Sequence, residues 1–244
     1  MSLAGEAPGR PSAFDRVARR RDYRPHVPDR ATAMEGRTRT TLALVICGSS
    51  MLVFGMLGVT LALRGGFAWD VTILNWLRRP PSPMPSASAA NSILDVGMPV
   101  AAALLGGSLV VLVARRGFQP ALFLGFAVAG AVALDLLLKE VFKRPAINPA
   151  DHGYSFPSGS ALISAAAVAA LILLARSRIA GVAGVAFLIL VGVMIVCARW
   201  HYPSDVMAGW SVGLAWVTGV WVVATRSGAV QAISLRSHKN RTVR

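Results

Sequence analysis

The sequence predicts an all-α integral membrane protein with six transmembrane helices. Of its 244 residues, 55% are hydrophobic and the mean hydropathy is +0.57, which is too apolar for an ordinary soluble domain. A helix needs about 20 apolar residues to cross the hydrocarbon core, and six such blocks occur along the chain. The formal net charge of +14 comes from Lys and Arg between and outside these blocks. This placement favours contacts with anionic lipid over binding of nucleic acid.

The loops that join the six blocks predict how the helices pack. Short loops between blocks two and three, four and five, and five and six predict antiparallel neighbours. The long connection, residues 64–96, contains a segment at 69–77 with the spacing of a short amphipathic helix, and its two Trp suit the lipid–water interface. The Pro-rich run at 80–83 breaks the chain before the second span. The predicted spans are residues 41–63, 97–114, 119–138, 158–175, 179–200 and 206–225.

Three regions follow from this pattern: a basic, disordered arm over 1–40, a six-span membrane domain over 41–225 and a basic tail over 226–244. The arm has nine Arg and no apolar run, so no cleavable signal peptide is expected. Lys and Arg number 18 on the side of the two termini and 7 on the other side. The positive-inside rule therefore predicts a multi-pass plasma-membrane protein with both termini in the cytoplasm, where arm and tail contact anionic lipid head groups.

A His-Asp pair lies at the start of the sixth span, on the outward side. If Asp205 opens that helix, its carboxylate can accept the Nδ1 proton of His201 and leave Nε2 free as a nucleophile or base. Asp205 also suits a simple N-cap before Val206. The pair beside nearby cations favours a catalytic role for both residues.

A Ser-Gly turn, Pro157-Ser158-Gly159-Ser160, opens the fourth span on the same side. Backbone N–H groups at a helix start, a hydroxyl and a Gly that permits close approach together form an anion cradle. An ordinary N-cap is the alternative for this turn.

Cations surround both clusters. Lys139 ends the third span, Arg144 follows in the loop, and Arg199 precedes His201. Each can donate charge-assisted hydrogen bonds to phosphate oxygens, although snorkelling at a helix end is the alternative. Asp135, four residues before Lys139, is placed to pair with it.

In this order and on six spans, the clusters resemble the type 2 phosphatidic acid phosphatase (PAP2) superfamily, which shares its core with vanadium haloperoxidases and bacterial class A acid phosphatases. The family signature runs K-x6-R-P, then P-S-G-H, then S-R-x5-H-x3-D. Residues 201–210 match the end of the third motif, 156–159 match the second, and Leu138-Lys139 begins the first. The resemblance covers roughly residues 64–225 and implies a PAP2-like helical bundle.

The resemblance implies roles for individual residues. In the family the third-motif His attacks phosphorus and forms a phosphohistidine while the Asp holds it, and these roles carry over to His201 and Asp205. The residues that bind phosphate in the first two motifs correspond to Lys139, Ser158 and Gly159. The resemblance also implies that no metal ion or other cofactor is required.

The chain departs from the signature at three positions that carry chemistry or charge. The second-motif His, which protonates the leaving alcohol, is Ser160 here. The Arg positions of the third and first motifs are Ile195 and Ala146. Arg199, one helical turn after Ile195, and Arg144, two residues before Ala146, are expected to supply the missing charge.

Two functions stay open on this sequence. One is a membrane lipid phosphatase that hydrolyses a lipid phosphate or polyprenyl diphosphate at the extracytoplasmic face. The other is a catalytically inactive PAP2-fold protein that binds phospholipid or acts as a scaffold. A general acid contributes about 10²–10⁴-fold, so its loss at Ser160 favours a diphosphate, whose phosphate leaving group departs more easily than an alcohol. His152, in the preceding loop, is an alternative proton donor.

Overall fold

The structure is a computed structural model that describes residues 30–77, 84–147, 153–175 and 177–226. The regular secondary structure of these residues is α-helical, apart from one isolated β-bridge between Pro145 and Tyr154. Contacts divide the chain into two units, Met1–Arg39 and Thr40–Arg244, and all three polar clusters lie in the second. The helices are α1 (Arg30–Arg64), α2 (Ala68–Trp76), α3 (Ala87–Arg116), α4 (Phe118–Phe142), α5 (Gly159–Ala175), α6 (Arg178–Cys197) and α7 (Pro203–Arg226).

The prediction of a multi-pass membrane protein is confirmed. Within the described residues, five helices are long and apolar enough to cross a bilayer: α1 from Arg37, α3, α4, α6 and α7. The predicted fourth span, α5, is apolar but has 17 residues, which at 1.5 Å per residue is about 26 Å against a core of about 30 Å. Six spans and the cytoplasmic termini therefore remain predictions. Most of the predicted arm and tail, the Pro-rich run at 80–83 and His152 lie outside the described residues.

Local chemistry explains where two helices begin. The helix α3 starts well before the predicted span because the Ser86 hydroxyl accepts a hydrogen bond from the Ala89 N–H at 3.2 Å, which satisfies one of the first free donors. The helix α7 starts at Pro203, directly after His201-Tyr202, since proline at a first helical position loses no hydrogen bond. His201 therefore lies in the turn between α6 and α7.

The short helix α5 packs closely against α7 because both present small residues. Gly209 and Gly213 lie four residues apart on α7, and a Cβ added at either would come within 2.5 Å of the backbone oxygens of Ser158 and Leu162, respectively. Small residues let helix backbones approach in membranes, where van der Waals packing drives association. This contact fixes the start of α5 against the first turns of α7.

The predicted amphipathic segment at 69–77 is confirmed as the helix α2. Asp70 and Leu74, one turn apart, are its buried residues, whereas Val71 and Trp76 are exposed. An acid with no exposed surface on an otherwise apolar helix requires partners, and these lie in the site described next.

Candidate functional site

The three polar clusters meet where α4 and α6 end and α5 and α7 begin. The backbone N–H of Ser158 donates to the carbonyl of Asp205 at 3.0 Å, which joins the Ser-Gly turn to the His-Asp turn. The N–H of Ser155 donates to the carbonyl of Arg144 at 2.8 Å. The structure therefore brings the loop after α4, the start of α5 and the start of α7 into one hydrogen-bonded unit.

His201 is held by a main-chain oxygen. Its Nδ1 lies 2.9 Å from the carbonyl oxygen of Ser155. A carbonyl only accepts hydrogen bonds, so Nδ1 must donate, and the neutral imidazole then carries its lone pair on Nε2. Among the described residues, none hydrogen-bonds Nε2. His201 is thus held in the tautomer that a nucleophile requires.

The expected hydrogen bond between Asp205 and His201 is absent, which corrects the prediction made from their spacing. The distance from Asp205 Oδ2 to His201 Nδ1 is 3.8 Å, beyond hydrogen-bond range. Asp205 instead accepts the N–H of Tyr202 at 3.1 Å and the Arg144 guanidinium at 2.6 Å. Its carboxylate turns back to bind the loop before α7, so it fixes the turn that carries His201 and not the imidazole itself.

Arg144 lies at the centre of a buried ionic network that the sequence did not reveal. Its guanidinium donates to Asp205 at 2.6 Å, to Asp70 at 2.8 Å and to the Ser204 hydroxyl at 2.7 Å. It is 7% exposed, and both carboxylates are fully buried. It also lies 3.9 Å from the centre of the Tyr202 ring, at the range of a cation–π contact. The Arg144 guanidinium, predicted to contact phosphate, therefore donates its hydrogen bonds to partners within the protein.

Asp70 ties the interfacial helix α2 to the start of α7. Its carboxylate accepts the N–H of Ser204 at 2.9 Å and the Ser204 hydroxyl at 2.5 Å, in addition to Arg144. The N–H of Ser204 is one of the free donors at the start of α7, so Asp70 caps that helix from a distant part of the chain. The sequence signal for this role was the lone acid on the apolar α2.

The Ser-Gly turn has part of the geometry of an ordinary N-cap, which was the alternative to an anion cradle. Ser158 is fully buried, and its hydroxyl lies 3.5 Å from the N–H of Ala161, the geometry of a weak N-cap. Gly159 has to lack a side chain, since an added Cβ would come within 2.6 Å of the Asp135 carboxylate. Ser160 is only partly buried. Anion binding at this turn would therefore use the backbone N–H groups at the start of α5.

Lys139 and Asp135 form the expected ion pair at 3.1 Å. The Lys139 side chain is 26% exposed, so it has access to a ligand that Arg144 lacks. The second oxygen of Asp135, Oδ1, is buried and has no hydrogen-bond partner in the described part of the chain. This carboxylate lies against Gly159 and so holds Lys139 close to the start of α5.

Arg199 does not continue the helix of Ile195, contrary to the expectation of a shared helical face. The helix α6 ends at Cys197, and Arg199 has a φ of 63°. The N–H of Trp200 bonds to the carbonyl of Ile195, and that of Arg199 bonds to Val196. This pair of bonds is a Schellman motif, whose left-handed position usually holds Gly. Ile195 itself is fully buried in the core.

Comparisons with known proteins bear on the family and the fold. The model of the PAP2 superfamily matches residues 120–229. Among solved structures, the fold is similar to that of the transmembrane PAP2-type phosphatidylglycerolphosphate phosphatase from Bacillus subtilis, with a TM-score of 0.59, 20% identity, and coverage of 74% of this chain and 96% of that chain. No curated protein sequence matches the chain significantly. The predicted resemblance to the PAP2 superfamily is confirmed, and the structural similarity concerns the fold.

Proposed function

Because residues 120–229 match the model of the PAP2 superfamily, we propose that this multi-pass membrane protein is a lipid phosphatase. It hydrolyses a lipid phosphate or a polyprenyl diphosphate at the extracytoplasmic face of the plasma membrane, through a phosphohistidine at His201. The observation that carries the proposal is the 2.9 Å contact between His201 Nδ1 and the Ser155 carbonyl. It keeps the proton on Nδ1 and the lone pair of Nε2 available for attack.

The proposed reaction has two displacements at phosphorus. In the first, Nε2 of His201 forms a bond to phosphorus while the bond from phosphorus to the leaving oxygen breaks. In the second, a water oxygen attacks phosphorus, the phosphorus–nitrogen bond breaks, and inorganic phosphate leaves. Asp205 binds Arg144 and the Tyr202 N–H and so keeps the turn that carries His201 in place. Its carboxylate also lies 3.8 Å from Nδ1 of His201.

Phosphate binding is assigned to two cations and to the backbone at the start of α5. Lys139 and Arg199 supply positive charge, and the backbone N–H groups of Gly159 and Ser160 supply donors at the positive end of the α5 dipole. Arg144 acts through Asp205, so its role is to position the turn. The Ser158 hydroxyl, at capping distance from Ala161 N–H, stabilises the start of α5.

The substrate is more readily a diphosphate than a monophosphate. Ser160 cannot protonate a leaving alcohol at neutral pH, and a missing general acid costs about 10²–10⁴-fold when the leaving group is poor. With a polyprenyl diphosphate the leaving group is the polyprenyl monophosphate, which departs without a general acid. Turnover of phosphatidate equal to or faster than that of a polyprenyl diphosphate would contradict this preference.

The test is phosphate release by the detergent-purified protein, with EDTA present, on phosphatidate and on a polyprenyl diphosphate, beside His201→Ala. The proposal predicts release from the wild type that is lost in the variant. A phosphoenzyme trapped by rapid denaturation should be labile in acid and stable in alkali, as phosphohistidine is. Release that persists in His201→Ala would rule out the proposed nucleophile.

A second function is favoured by Ile195, which is fully buried where the family has an Arg. A site without that charge can bind a lipid phosphate and not turn it over, as a binding protein or scaffold does. Binding of a fluorescent phosphatidate separates the two functions. A pure binder should lose affinity on Lys139→Ala and keep it on His201→Ala, with no phosphate release in either case.

The outward direction of the site is also a proposal, supported by the excess of Lys and Arg on the side of the termini. We expect a green fluorescent protein fused after residue 244 to fluoresce and an alkaline phosphatase fused there to be inactive, since the tail lies in the cytoplasm. The basic arm and tail should then bind vesicles that contain anionic lipid. An active alkaline phosphatase fusion would reverse the assigned orientation.

A further inference from the structure

An apolar groove begins directly beside the His-Asp turn. It has a volume of about 290 Å³ and is bounded by α2, α6 and α7. Pro203 and Val206 line its edge, and between them in sequence lie Ser204 and Asp205 of the buried ionic network. Of the described residues that line it, none is charged. The groove therefore shares the first turn of α7 with the buried network that holds the turn of His201 in place.

The helix α2 forms one wall of the groove with a single apolar face. Trp69, Ile73 and Trp76 line the groove, and their spacing of four and three residues places them on one face of the helix. The neighbouring face carries Asp70, which binds Arg144 and the start of α7. One short helix thus forms the groove wall with one face and is anchored to the proposed catalytic turn with the other.

The groove extends along two candidate membrane spans. Its remaining walls come from the last two turns of α6 and the first two turns of α7, both candidate membrane spans. Trp210, at its inner end, lies seven residues after Pro203, which corresponds to about 10 Å along the helix axis. Gly192 of α6 makes room for that ring, because a Cβ added there would overlap it.

We propose that this groove binds the hydrocarbon chain of the lipid whose phosphate reaches His201; the inference rests on the proposed function. A chain in lipid gains no hydrophobic energy by moving from lipid into an apolar groove. The groove therefore acts through packing, by orienting the chain so that the head group lies beside the turn that carries His201.

The test fills the groove and compares two chain lengths. Val193→Trp places a large ring in the groove wall formed by α6. Val182→Trp makes the same change on the same helix at a residue that is 74% exposed and lies outside the groove. We measure kcat/KM on dioleoyl and dihexanoyl phosphatidate, or on a long and a short polyprenyl diphosphate if only diphosphates are turned over.

We expect Val193→Trp to lower kcat/KM for the long-chain substrate by about tenfold or more, the usual effect of a misfitted pocket, and to change the short-chain value little. Val182→Trp should leave both values near wild type. Ile73→Trp fills the same groove from α2 and should repeat the pattern. An equal loss for both chain lengths, or no loss for either, would overturn the proposal.

A photolabelling experiment separates failure of the groove from failure of the proposed function. A phosphatidate that carries a diazirine in its acyl chain should label peptides from 69–77 and 192–210 in the wild type. Val193→Trp should reduce this labelling at least severalfold, and Val182→Trp should not. This result would support the groove even in a protein that releases no phosphate. Labelling at those peptides that is equal in both variants would contradict it.

Discussion

Removal of Arg144 should be among the most destabilising single changes in this protein. Its guanidinium bonds to Asp205 at 2.6 Å and to Asp70 at 2.8 Å, and both carboxylates are fully buried. Removing one partner of a buried ion pair costs about 3–5 kcal/mol, since the other charge is left unpaired. Arg144→Ala leaves two such carboxylates, so we expect a loss at the upper end, about 4–5 kcal/mol of the free energy of unfolding.

The assay is thermal unfolding of the detergent-purified protein, followed by the fluorescence of its six Trp. A loss of this size corresponds to a fall in Tm of about 10 °C or more for a chain of this length. Lys143→Ala is the matched control, because Lys143 and Glu140 are 3.9 Å apart with side chains 60% and 71% exposed. An exposed ion pair contributes little to the free energy of unfolding, so the Tm of Lys143→Ala should stay within about 2 °C of wild type.

A double variant tests the reason for the effect. Asp70→Asn removes one of the two orphaned charges, so Arg144→Ala with Asp70→Asn should be more stable than the sum of the single changes implies, by about 1–3 kcal/mol. Strict additivity would show that Arg144 and Asp70 are not coupled. A fall in Tm for Arg144→Ala no larger than that for Lys143→Ala would refute the buried network as a source of stability.

Two further predictions concern backbone positions near the site. Arg199→Gly relieves the left-handed conformation at φ 63°, whereas Arg199→Ala keeps it. The Gly variant should therefore unfold with a free energy about 0.5–1 kcal/mol higher than the Ala variant, while both lose phosphate affinity because the cation is gone. Gly209→Ala places a Cβ 2.5 Å from the Ser158 carbonyl and should cost about 1–3 kcal/mol. Gly181→Ala, with no atom within 4 Å of the added carbon, should not lower the Tm.

The sequence predicted the membrane class, the short helix in the long connection and the meeting of the three clusters, since these depend on hydrophobic periodicity and local motifs. It could not predict that Asp70 and Arg144 bind each other, because no periodic pattern links residues 74 positions apart. The spacing of His201 and Asp205 suggested a direct bond. The start of α7 at Pro203 turns the carboxylate towards the Tyr202 N–H, and a main-chain carbonyl, which has no sequence signature, holds the His.

The groups retained and lost at the site separate two requirements of the first displacement, a positioned nucleophile and a protonated leaving group. The groups that position the nucleophile are present: the Ser155 carbonyl on His201 Nδ1 and the network of Asp205, Arg144 and Asp70. At the position where the family signature has the His that protonates a leaving alcohol, this chain has Ser160. A site with a nucleophile and no acid should be limited by the leaving group, and restoring the acid should help only substrates that need it.

Ser160→His tests this argument by gain of function. It places an imidazole next to Gly159, where the family signature has one, at a position that is only partly buried. We expect turnover of phosphatidate to rise by up to about 10²–10⁴-fold, the contribution of a positioned general acid, and turnover of a polyprenyl diphosphate to rise far less. Ser160→Ala should resemble wild type, and His201→Ala should abolish the gain. An equal rise for both lipids, or none for phosphatidate in a variant that still folds, would show that proton supply is not what the site lacks.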